Sequence, residues 1–192
     1  MPTQKTPDKD QHFLRNIEEI RQRARQHVEN GAVTDAYKAD LPTILKILNE
    51  ALATELVCML RYKRHYFMAN GIHAGAVSRE FLEHAEEELQ HADRIAGRIQ
   101  QLGGKPNFNP DGLCKRSHAQ YVEGETLVEM IKEDLIAERI AIETYSEIIR
   151  YLGNDDPTTR ILFEEILSAE EGHADDMSRL LQRVSKFEEQ HA

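Results

Sequence analysis

The 192-residue chain is 40% hydrophobic and 30% charged, has no tryptophan, and carries a formal net charge of −10. Charge of that sign repels a phosphate backbone and concentrates cations, so DNA is not an expected partner. No run approaches the roughly eighteen apolar residues of a membrane helix. The first ten residues lack the apolar segment of a secretion signal, and two cysteines make no disulfide framework. A helical domain working in a reducing cytoplasm, away from membranes, is expected.

Residues 1–10 are polar, contain Pro2 and Pro7, and are expected to be disordered. From Gln11 to Asn30 apolar residues recur at Phe13, Ile17, Ile20, Ala24 and Val28, the period of one helix stopped by Gly31. Its Arg15, Arg21, Arg23 and Arg25 are offset by Glu18, Glu19 and Glu29. Residues 1–40 therefore read as an N-terminal arm whose helix packs on the protein or on another subunit, rather than as a DNA-binding tail.

Four long helices follow. Asp40-Leu41-Pro42 has an N-cap aspartate and a first-turn proline, and opens a helix over about 41–70. The second spans about 76–102 and ends at Gly103-Gly104. The third spans about 125–152 and is stopped by Gly153; the fourth spans about 157–186 after Asp156-Pro157, leaving 187–192 as a tail. Short loops make the first two helices antiparallel, and likewise the last two. The link from Gly103 to Gly124 is long enough, at ~3.3 Å per residue, to return along helices about 40 Å in length. Residues 41–186 are thus expected to form an all-α four-helix bundle with one long crossover, within which 113–121 is a candidate short helix.

One pattern occurs twice. Glu55 is followed by Glu88-x-x-His91, and Glu138 by Glu170-x-x-His173, with separations of 33 and 32 residues between the glutamates. Each lies on an apolar stripe: Ile44, Leu48, Leu52 and Tyr62 around Glu55, and comparable sets on the other helices. Each glutamate also falls near the midpoint of its helix, and midpoints of antiparallel helices share a level. Spacing i, i+3 keeps Glu and His on one face. Four carboxylates and two imidazoles converging in a bundle core are the ligand set of a di-iron or di-manganese site, and they balance two divalent cations to zero charge. A third Glu-x-x-His, Glu188 to His191, lies in the polar tail with no apolar stripe and is read as chance.

Four neighbours complete the candidate site. Tyr62 and Tyr145 each follow a lone glutamate by seven residues, two turns along the same face, where hydrogen bonds to ligands or electron donation compete with an ordinary core role. His84, one turn before Glu88, is a supporting or transit ligand or simply a core histidine. Cys58, one turn after Glu55 and close enough to approach the site, reads as a small buried hydrophobe.

On Glu55 with Tyr62, Glu88-Leu89-Gln90-His91-Ala92-Asp93, Asp134 to Glu138, and Glu170-Glu171-Gly172-His173, the chain resembles the ferritin-like superfamily. The likeness is to bacterioferritin and to Dps-like ferritins with a bacterioferritin-type site, over about residues 41–186. The resemblance implies two iron ions per subunit, with manganese or zinc as substitutes. Glu55 and His91 would hold one ion, Glu138 and His173 the other, and Glu88 and Glu170 would bridge them. It also implies ferroxidation of Fe(II) by O₂ or H₂O₂ and mineral storage in a hollow homo-oligomeric shell, as in protection from oxidative stress. Haem-binding bacterioferritins carry methionine after the first bridging glutamate; Leu89 stands there, so no haem is expected. Only nineteen residues follow His173, too few for the fifth helix of a 24-subunit shell, which favours a dodecamer. Ordinary Dps proteins place their iron site between subunits, whereas these six residues fit one bundle. Some Dps-like ferritins carry a cysteine pair near the di-iron centre, and by that resemblance Cys58 and Cys114 would be a redox pair. A rubrerythrin-like di-iron peroxidase is the alternative, weakened by the lack of a Cys-x-x-Cys module. A DNA-protecting Dps-type protein is a further one, opposed by the charge.

Overall fold

The computed structural model describes residues 16–70 and 74–191, with side chains as far as Lys186. Six α-helices and no strand occur among the described residues: α1 Ile17–Arg23, α2 Leu41–Met68, α3 Ala74–Gln101, α4 Leu113–Arg116, α5 Leu127–Leu152 and α6 Pro157–His191.

Local chemistry sets the helix ends. The Asp40 carboxylate accepts from the Thr43 N–H at 3.3 Å at the start of α2, with Pro42 in the first turn. Thr126 and Glu129 form a reciprocal capping box on α5. Asp156 caps α6 through the Thr159 N–H at 2.9 Å. After α3 the Gly104 N–H closes onto the Ile99 carbonyl at 2.9 Å. A Cβ at Gly104 would stand 2.5 Å from the Leu45 side chain, so glycine lets this loop pass close to α2 without displacing that leucine.

The four long helices bury two apolar clusters, one at each end of the bundle. One contains Ile44, Leu48 and Leu52 of α2, Ile95 and Ile99 of α3, Tyr145 and Leu152 of α5, and Phe163 and Ile166 of α6. The other contains Tyr62 of α2, Val77 and Phe81 of α3, Met130 and Ile131 of α5, and Met177 and Val184 of α6. Each large side chain removed from water contributes roughly 1.5–3 kcal/mol, which makes these two clusters the main driving force of the fold. In chain order α2 and α6 run from the first cluster to the second, and α3 and α5 from the second to the first. The segment 102–126 must therefore travel the full length of the bundle, which it does along α2, with α4 packed on that helix. This is the expected four-helix bundle with one long crossover.

Three boundaries differ from expectation. The predicted arm helix over 11–30 is interrupted: α1 ends at Arg23 and a single 3₁₀ turn covers Val28–Asn30, because His27 adopts a left-handed conformation at φ 51°. Residues 1–15 lie outside the described residues, and with them the stretch 1–10 expected to be disordered and the Gln11, Phe13 and Arg15 end of the expected arm helix. No residue of α1 is buried, so α1 does not pack on its own bundle. The short helix expected at 113–121 covers only 113–116. The fourth long helix continues through the expected tail to His191, since its polar sequence has good helix formers even where the apolar stripe ends. The side chains of Glu188 and His191 are outside the described part.

Candidate metal centre

Between the two apolar clusters lies one polar layer. Glu55 comes from α2, Glu88 and His91 from α3, Glu138 from α5, and Glu170 and His173 from α6, none more than 6% exposed. They form two overlapping groups whose ligand atoms all lie within 4.8 Å of one another: Glu55, Glu88, His91 and Glu170, and Glu88, Glu138, Glu170 and His173. Glu88 and Glu170 belong to both. The His91 Nδ1 stands 3.4 Å from Glu55, 3.6 Å from Glu88 and 3.0 Å from Glu170. The His173 Nδ1 stands 3.5 Å from Glu88, 3.8 Å from Glu138 and 3.5 Å from Glu170. The layer has an approximate twofold symmetry, each half with one lone glutamate and one Glu-x-x-His.

Each of the six residues keeps one buried polar atom without a hydrogen-bond partner: an oxygen of Glu55, Glu88, Glu138 and Glu170, and the Nδ1 of His91 and His173. A buried orphan costs about 1–3 kcal/mol, and six facing one another are a deficit the protein does not fill itself. Oxygen donors with two imidazoles suit Fe, Mn or Zn, and two divalent ions would neutralise the four carboxylates. The donor set fits a pair of cations.

The electrostatics agree. Burial, reinforced by Glu88, pushes the Glu55 carboxyl well above its ordinary range. Burial with Glu55 and Glu138 pushes Glu170 up to about 8. Burial also opposes the charge on Glu138, but contacts from His173 and Glu170 hold it down at about 2. His91 rises to about 12 because Glu170, Glu55 and Glu88 overcome its burial, and His173 moves upward for the same kind of reason through Glu138, Glu170 and Glu88. Protons thus stand in for the missing positive charge, and cation binding would release them.

The neighbouring residues cross over between the halves. Tyr145 of α5 donates to Glu55 of α2, and Tyr62 of α2 donates to Glu138 of α5. Each tyrosine supports the glutamate of the other helix, not its own. His84 lies with its ring stacked on His173, centroids 4.1 Å apart, and its Nδ1 is 3.2 Å from the Tyr62 hydroxyl. Burial and His173 lower it to about 4. Cys58 is buried against Ala119 and Ala137, and burial pushes its thiol up; Cys114 is exposed, and both are free thiols.

Two features escaped the sequence reading. Glu87, half exposed, accepts from the outer nitrogen of His173 at 2.5 Å and so directs Nδ1 at the centre. Nothing marks it within the run Glu86-Glu87-Glu88. One turn along α5 from Glu138, buried Asp134 accepts from Arg61 Nε and from His65 Nδ1, both at 2.8 Å. Arg61 and His65 in turn donate to the Gln120 and Glu123 carbonyls at 2.9 and 2.8 Å, fastening the crossover to α2.

Residues 45–187 match the model of the ferritin-like domain. The bacterioferritin of Brucella melitensis biotype 1 is 30% identical over 78% of this chain and 89% of its own length. Among solved structures, the bacterioferritin-related protein of Bacteroides fragilis, described as a dodecameric thioferritin, superposes with a TM-score of 0.76 and 31% identity. That match covers 80% of this chain and 92% of that one. Dps from Thermosynechococcus elongatus, at 20% identity over 73% of this chain and 90% of its own, shares the fold with a TM-score of 0.70.

Proposed function

As the chain belongs to the ferritin-like domain family, we propose that it is a ferroxidase that stores the oxidised iron within a homo-oligomeric shell. The observation that carries this reading is the set of six orphaned donor atoms, one from each of six buried residues, facing one another in a single layer. The bacterioferritin relative supports iron storage in general; the assignment of residues rests on the geometry.

In this reading Glu55 and His91 hold one Fe(II), Glu138 and His173 the other, and Glu88 and Glu170 serve both. Bound iron supplies the redox chemistry. Each of two Fe(II) gives up one electron; O₂ takes both with two protons to become H₂O₂, or H₂O₂ takes both with two protons to become two waters. The chain's own groups prepare for this. Tyr145 and Tyr62 fix the lone carboxylates, and Glu87 fixes the tautomer of His173. Burial of the layer keeps bulk water away from the carboxylates. The protons that Glu170 and His91 hold in the absence of cations are released as the substrate ions enter. Tyr62 and Tyr145, touching the ligands, are placed to give up an electron when only one is available from iron.

The size we favour for the shell is a dodecamer, the state by which the Bacteroides fragilis relative is described. The test is particle mass together with iron content after aerobic Fe(II) loading. A hollow oligomer holding many more than two irons per subunit is expected; a monomer or dimer that retains two or fewer overturns the storage reading.

A further inference from the structure

Beside the six-residue layer, on the groove between α3 and α6, stands a second set of donors that the proposed reaction does not use. Glu80 and His84 are one turn apart on α3, and Asp176 on α6 lies three residues past His173; their ligand atoms lie within 4.8 Å of one another. The two carboxylates are about one-third exposed, while the His84 side chain is 4% exposed.

Hydrogen bonding fixes what His84 offers there. The Tyr62 hydroxyl spends its proton on Glu138, so its oxygen accepts from His84 at 3.2 Å. His84 therefore carries its proton on Nδ1 and turns the Nε2 lone pair outward. That nitrogen faces Glu80 at 3.8 Å and Asp176 at 3.9 Å, too far for hydrogen bonds and with no proton to share. Arg179 engages the other oxygen of Asp176 and leaves Oδ2 free for the groove. Three lone-pair donors converge in the groove. The nearly buried one, His84 Nε2, has no hydrogen bond of its own, while the cation beside them, Arg179, is held on the far oxygen of Asp176.

We propose that Glu80, His84 and Asp176 form a third cation site that takes a divalent metal ion from solvent and passes it to the buried centre. Two oxygens and one imidazole nitrogen are a borderline donor set suited to Fe(II), Mn(II) or Zn(II). Three protein ligands leave coordination positions open, so the ion stays exchangeable. His84 is the shared wall: its ring stacks on His173, and it also falls within ligand range of Glu138 and His173 together. The transfer role, though not the binding site itself, rests on the ferroxidase reading above.

The probe is Zn(II), which is redox-inert. Crystals of the full-length protein soaked in Zn(II) should show three anomalous peaks per subunit, two in the buried layer and one among Glu80, His84 and Asp176. In E80Q and D176N the third peak should vanish while the two buried ones remain, and Fe(II) oxidation at low iron should slow about tenfold. Two peaks in the wild type, or a third that survives both substitutions, overturns the site. Three peaks with unchanged oxidation rates in both variants overturns the transfer. An empty layer with the groove peak present overturns the ferroxidase reading and leaves the third site standing.

Discussion

The bundle buries two charged clusters one helical turn apart, and they answer burial in opposite ways. In the Arg61–His65–Asp134 cluster both carboxylate oxygens of Asp134 are bonded, and Arg61 and His65 each make a further bond to a crossover carbonyl. In the six-residue layer every member retains an unpartnered atom. A charged group that finds all its partners inside the chain holds the fold together; one left short is arranged for something from outside. Arg61 keeps one unbonded nitrogen, a small deficit beside six atoms that face one another.

That contrast is most sharply tested at Asp134. Asp134→Ala leaves Arg61 and His65 buried without their acceptor and frees the crossover, a loss of about 3–5 kcal/mol. Urea unfolding should record it, and a cost below about 1 kcal/mol would mean that the cluster is not a structural lock. Glu170→Gln should behave in the reverse sense. Because the metal-free Glu170 carboxyl is pushed up to about 8, it is largely protonated at pH 7, and glutamine mimics that form. The metal-free melting temperature should hardly move, while rapid Fe(II) oxidation falls by about 100-fold, a loss of ~2.7 kcal/mol in transition-state stabilisation. Adding Mn(II) at about a hundred times its dissociation constant should stabilise the wild type by ~2.7 kcal/mol per site and the variant far less. Equal stabilisation of both would remove Glu170 from the ligands.

The two clusters also differ in how far they can be read from sequence. The layer is legible because it violates a pattern: Glu55, Glu88, His91, Glu138, Glu170 and His173 are polar residues on otherwise apolar stripes, at matching heights, in two copies. The lock violates none. Arg61 and His65 stand in a run with Lys63 and Arg64 that reads as a solvated basic face, and their acceptor is 73 residues distant from Arg61. The tyrosines fall between the two cases. Their seven-residue spacing announces a position near a ligand, but not that each reaches across to the glutamate of the other helix. The long helices and the crossover followed from periodicity and loop length, whereas the arm did not. Helical periodicity over 11–30 presupposes a surface to pack on, and α1 has none within its own bundle.

The two histidines of the layer make a finer comparison. His173 has its outer nitrogen fixed by Glu87, whereas no hydrogen bond is seen from the outer nitrogen of His91 among the described residues. Glu87→Gln keeps an oxygen in reach but removes the charge, and should weaken metal binding on the His173 side by about tenfold, the low end for a supporting carboxylate. Titration with Co(II), followed in the visible spectrum, should show one of the two ions weakened. If both weaken equally, or neither does, Glu87 does not position His173.

The smallest expected effect lies at the far end of the bundle, where a charged group is again fully answered. Asp156 accepts from Tyr37 at 2.9 Å, from Arg98 at 2.8 Å, and from the Thr159 N–H that begins α6. Although burial raises its carboxyl, these bonds from Thr159, Tyr37 and Arg98 prevail and hold it below the ordinary value. A carboxyl depressed in the folded state contributes stability that is complete above its unfolded value, near ~3.9, and is lost as pH falls through the folded value. Asp156→Asn keeps a capping oxygen and loses only the charge, so at pH 7 it should cost about 1 kcal/mol. Below about pH 4 that cost should shrink, because the wild type is then losing the same charge by protonation. Urea unfolding of both proteins at pH 7 and pH 3 measures the difference directly. A gap that stays constant between the two pH values would show that the Asp156 charge does not tie the residues before α2 to the start of α6, and that capping geometry alone does so.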